Sequence, residues 1–162
     1  MVKGALWNIV VFLVDGKANH AGLDIPGLGL ADLSLLGARI VSWDNKQLPK
    51  GDRLYFKVFL PNPAAAIDFL KKPGLLMNEI REEEKNSRGW HLTADAPDLV
   101  RKYHTTRSMD EDDMNCIEWI LRGLELGGVF IPLDILTPTE LLVWCRDQEK
   151  KNEQLTCESV NE

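Results

Sequence analysis

The chain is predicted to be an α+β protein, a small and mainly antiparallel sheet packed against helices. Three observations carry this expectation. Apolar runs separated by tight-turn residues fill the first sixty positions; helix-start and helix-stop residues dominate the remainder; and no stretch alternates strand with helix as a parallel βαβ sheet would. The 162 residues, 44% of them hydrophobic, with five Trp and five Phe, suffice for one core. The expected domain is 1–147, followed by a polar, charged tail over 148–162 that should be disordered.

The opening run ALWNIVVFLV reads as a buried strand that ends at the Asp15-Gly16 turn. A short strand HAGLDI then spans His20 to Ile25 and stops at the break Pro26 to Gly29. The next run, LSLLGARIVSW, reads as one further strand ending at Asp44-Asn45. After the loop residues Leu48 to Asp52, RLYFKVFL alternates as a half-buried strand does. Four strands joined by tight turns favour antiparallel pairing.

Pro63 opens a helix AAAIDFLKK that stops at Pro73-Gly74, and charged amphipathic helices are expected at LLMNEIREEEKN and around APDLVRKYH. A helix beginning near Cys116 carries Ile117, Ile120, Leu121 and Leu124 at i, i+3, i+4, i+7, the spacing of a buried stripe, and Gly127-Gly128 ends it. Thr137-Pro138-Thr139-Glu140 is a capping box with Pro at the first helical position, ahead of LLVWCRDQ.

Composition also excludes. A formal charge of -6 without a basic cluster argues against nucleic acid. Three widely spaced cysteines fit neither a disulfide framework nor a zinc site, which favours a reducing, cytoplasmic setting. The opening apolar run is too short to span a membrane and lacks a small-residue cleavage site. The acidic run Asp110 to Asp113 lacks the ligand spacing and Gly turn of a calcium loop, so no metal or cofactor is assigned.

Chemistry is sought at the cysteines and histidines. Cys116, next to the candidate caps Asp113 and Asn115, falls at a helix mouth, where unpaired backbone N–H groups favour a thiolate. The acidic run before it opposes that ionisation, so a cationic partner would be needed; otherwise Cys116 is a small apolar residue beside the helix stripe. Cys145 reads as core and Cys157 as a surface thiol of the tail. His20 starts a strand, and Gly22 on the same face leaves room beside its ring, as a base requires; the alternative is a plain turn histidine. His104 is a weaker rival for the base, and His91 reads as a partly buried loop residue.

His20-Ala21-Gly22-Leu23 followed by Asn115-Cys116-Ile117-Glu118-Trp119 resembles, in residue type and order, the circularly permuted papain-like proteins. That group includes NlpC-type permuted hydrolases and lecithin:retinol acyltransferase-like enzymes. The resemblance spans roughly His20 to Trp144 and implies a permuted papain-like fold. It also implies a Cys116 nucleophile, a His20 base, and a third polar residue on the next strand, Asp32 or else Ser34. Acyltransferase-like members place an aromatic residue after the base and His-Phe after the cysteine motif; Ala21 and Trp119 depart from this. The implied activity is therefore a cysteine hydrolase of amide or peptide bonds acting through a thioester, on a peptide, amide or acyl substrate that the sequence does not name. The competing expectations are a non-catalytic interaction module on the same fold and a redox-sensing or structural thiol.

Overall fold

The computed structural model describes residues 4–34, 37–45, 48–71, 116–151 and 155–160. These residues form six strands, β1 (Ala5–Val14), β2 (Lys17–Ile25), β3 (Gly29–Ser34), β4 (Gly37–Val41), β5 (Asp52–Leu60) and β6 (Leu155–Val160), and three helices, α1 (Pro63–Leu70), α2 (Cys116–Leu126) and α3 (Pro138–Lys151). One sheet holds the strands in the order β4-β3-β2-β1-β5-β6. Every neighbouring pair is antiparallel, so the chain is α+β as expected.

Strand β1 reads as a continuous apolar run because it is paired on both edges and covered on both faces. Trp7, Ile9 and Val11 point into the main core with α1, α2 and α3; Val10 and Phe12, on the opposite face, pack with Leu30 and Leu48 beneath Val41, Trp43 and Tyr55. The turn after β1 has two left-handed residues, Asp15 at φ 51° and Gly16 at φ 77°, the backbone that a two-residue hairpin between twisted strands needs.

Two features differ from the sequence reading. The segment expected as one strand, LSLLGARIVSW, belongs to a hairpin: β3 begins earlier, at Gly29, and Ser34 pairs with Gly37 across the reversal. No Pro, Asn or Asp marks that reversal, so periodicity alone runs through it. Beyond Asp147, where a disordered tail was expected, the described residues 148–151 and 155–160 are helix and strand. Helix α3 continues to Lys151, whose ammonium lies 3.2 Å from Asp147, and β6 adds to the outer edge of β5. The basic residues that read as tail composition complete a helix C-terminus, where cations offset the dipole.

The helix ends follow the local chemistry. Asn62 caps α1 by accepting from Ala65 N–H at 3.4 Å, with Pro63 in its first turn. Helix α2 closes with Val129 N–H bonded to Leu124 O and Gly128 N–H to Glu125 O, a Schellman motif with Gly128 left-handed at φ 95°. At α3, Thr137 Oγ1 accepts from Glu140 N–H at 3.1 Å, while Glu140 Oε1 accepts from Leu136 N–H. Ile117, Ile120, Leu121 and Leu124 are all buried, as their spacing predicts, and α2 packs on β2, β3 and α1. The helices expected over LLMNEIREEEKN and APDLVRKYH lie outside the described residues. Among the described residues no helix is long and apolar enough to cross a membrane.

Candidate active site

The site is assembled where β2, β3, β4 and the start of α2 meet. In the β1–β2 register Phe12 pairs with His20 and Leu13 with Ala18, so Asn19 is an extra residue in a β-bulge. A bulge bends its strand and re-aims the adjacent side chains. The adjacent residue is His20, whose ring rests against that of Phe12 at 5.5 Å between centroids.

Nε2 of His20 lies 2.8 Å from Oδ2 of Asp32, and the Cys116 side chain is close enough to the same ring to favour its charged form. Gly22 permits the first contact. A Cβ there would stand 2.9 Å from Ala31 O and 3.2 Å from Asp32 Cβ, so the space beside the imidazole is filled by β3 carrying its carboxylate. Asp32 is wholly buried and is held from the far side by Arg39, its cross-strand partner: Nε donates to Oδ1 at 2.7 Å and Nη2 to Oδ2 at 3.4 Å. The side chains of His20 and Arg39 are 17% and 14% exposed, and Cys116 is 8% exposed.

The electrostatics follow from burial and these contacts. Burial of the imidazole works against its charged form, but the hydrogen bond to Asp32, the nearby Cys116 side chain and the negative charge at both outweigh it. The pKa of His20 is raised from 6.5 to about 9. For Asp32 burial likewise favours the neutral acid; hydrogen bonds and positive charge from His20 and Arg39 prevail and hold the carboxyl below its ordinary 3.8. An ionised carboxylate only accepts, so the Nε2 it faces carries a hydrogen and Nδ1 is the nitrogen left for the thiol. Cys116 is the first residue of α2, where unpaired backbone N–H groups add positive potential at its sulfur.

Of the residues singled out in the sequence, His20, Cys116 and Asp32 come together. Asp32 is hydrogen-bonded to His20; the side chain of the alternative, Ser34, lies outside what the structure describes. Cys145 is buried in the core on α3. Asn115, His91, His104 and the run Asp110 to Asp113 lie outside the described residues. Arg39 was not anticipated. It becomes legible once LSLLGARIV is folded as a hairpin with Ser34 opposite Gly37, since Asp32 then faces Arg39.

Among the described residues no three His, Cys, Asp or Glu side chains converge as metal ligands would. A separate cleft of about 690 Å³ flanks α3, lined by Pro132, Ile135, Val143 and Trp144 among others; none of His20, Asp32, Arg39 and Cys116 lines it. No protein-family model matches the chain, and neither does any curated protein or solved structure.

Proposed function

We propose that the chain is a cysteine-dependent acyl-transfer enzyme, a hydrolase of amide or peptide bonds built on a permuted papain-like arrangement and working in the cytoplasm. The observation that supports this most is a single imidazole that meets a buried carboxylate through Nε2 and has a thiol at a helix N-terminus close enough to act on its ionisation. A structural histidine needs only one satisfied partner. The ordered Asp32, His20, Cys116 contacts are what nucleophilic catalysis requires: a base to take the thiol proton and a third group to hold the base in one tautomer.

In this reading Cys116 rests as a thiolate beside a His20 imidazolium that Asp32 stabilises, the thiol proton being held at Nδ1. The thiolate attacks the substrate carbonyl carbon; the C–N bond then breaks as His20 returns the proton to the departing amine, leaving a thioester on Cys116. Water, deprotonated by His20, cleaves the thioester and restores the thiolate and imidazolium. Backbone N–H groups at the start of α2 supply donors for the developing oxyanion.

A second reading, a non-catalytic interaction module on the same fold, is favoured by the burial of Cys116, which limits a substrate's access to the sulfur. Reaction with an activated acyl ester, followed peptide by peptide, separates the two. The enzyme reading expects a hydroxylamine-sensitive adduct on the Cys116 peptide, absent in Cys116→Ser and formed at least about 100-fold more slowly in His20→Asn. Equal labelling of wild type and Cys116→Ser would eliminate that reading.

A further inference from the structure

The Asp32–Arg39 pair is more than the hairpin needs. An ion pair buried between two strands adds little stability over an apolar pair of the same volume, because desolvation offsets the attraction. Neighbouring cross-strand pairs of β3 and β4 are apolar, Leu30 with Val41, Ala31 with Ile40 and Leu33 with Ala38. Both Asp32 oxygens receive a donor from Arg39, and Oδ2 is also the atom that meets His20. A planar guanidinium gripping a carboxylate at two points fixes its rotation as well as its charge, which a single ammonium does not.

We propose that Arg39 is a positioning residue of this site: its guanidinium keeps the Asp32 carboxylate turned toward Nε2 of His20, and thereby leaves Nδ1 to face Cys116. Arg39 touches neither the thiol nor the imidazole in this scheme and acts through Asp32. The role rests on the Cys116–His20 pairing proposed above. Among the described residues, the charged and titratable groups that act on the pair are Asp32 from β3, Arg39 from β4 and Cys116 from α2, and α2 also carries the buried Glu118 two residues on. Cys145 lies on the buried side of α3, Arg53 of β5 stacks on Phe12 behind the His20 ring, and β1 carries no charged side chain.

Charge and shape predict separable effects. Removing a cation raises the pKa of every nearby group, so Arg39→Gln should move the His20 titration, read from ring NMR signals, upward by about half a pH unit. The alkylation of Cys116 by iodoacetamide, followed peptide by peptide against pH, should move the same way. Arg39→Lys keeps the charge and loses the fork; both titrations should stay in place, while above the His20 titration, where the ring is neutral, its nitrogen shifts report mixed tautomers, and Cys116 acylation slows about tenfold. Should Arg39→Gln fail to fold, Asp32→Asn/Arg39→Gln removes the orphaned carboxylate as well, and the wild-type tautomer should be lost. Wild-type tautomer and titrations in the Gln and Lys variants, or in the double variant used in place of Gln, overturn the role of Arg39 alone. A wild-type His20 that titrates near its ordinary value, with Cys116 alkylation unchanged in His20→Asn, overturns the pairing and this role together.

Discussion

At the residue scale the site depends on what Gly22 lacks. Its backbone is not in the left-handed region, so the pressure against a side chain is steric: a Cβ would press on Ala31 O, which is backbone, and on Asp32 Cβ, whereas the Leu30 methyl at 2.7 Å can move aside. Gly22→Ala should therefore cost about 1–3 kcal/mol of overpacking, partly offset by the lower entropy of the unfolded chain. The same push displaces Asp32 from His20. Chemical denaturation should show the net loss, and acylation of Cys116 should slow with it; unchanged stability and rate would show that β3 has room to yield. Much of this was legible beforehand. His20, Gly22 and Cys116 declare themselves by residue type and local position, since a thiol at a helix start and a glycine beside a histidine are local features. Arg39 is not local: its role appears only when a hairpin places it opposite Asp32.

At the element scale, legibility divides the same way. The ends of α2 and α3 are written in consecutive residues, Gly127-Gly128 and Thr137-Pro138-Thr139-Glu140, because capping bonds join atoms within a turn of one another. The β3–β4 reversal and the addition of β6 to β5 depend on which strand edges remain open, and that is set by the rest of the sheet. The α2 C-cap offers a quantitative check. Gly128 has φ 95°, and an added Cβ would stand 3.1 Å from the Pro61 ring; Gly27 has φ 79° with nothing within 4 Å. Gly27→Ala should cost about 1 kcal/mol of backbone strain alone, and Gly128→Ala more, because Pro61 must also shift. Equal losses in thermal unfolding would mean that Pro61 gives way freely.

At the scale of the whole molecule, one sheet carries helices on one face and a smaller apolar cluster on the other, and the site sits where β2, β3 and β4 meet the N-terminus of α2. Its buried charge links the site to the stability of the entire chain. With 25 acidic against 19 basic residues, lowering the pH protonates many carboxylates, yet only those whose pKa differs between folded and unfolded states alter stability. Asp32 is such a group, held below 3.8 in the fold by His20 and Arg39 against the burial that opposes its charge. A depressed folded pKa contributes stability that is present above the unfolded value and is lost as pH falls through the folded one. Asp32→Asn should therefore be destabilised by about 3 kcal/mol at neutral pH, where Arg39 is left buried without its carboxylate. The gap from wild type should hold down to about pH 5 and narrow progressively below pH 4. Urea denaturation across that range measures it. Parallel stability curves for the two proteins down to pH 2.5 would mean that Asp32 titrates alike in the folded and unfolded chain, and that the Asp32, His20, Arg39 contacts do not hold its charge.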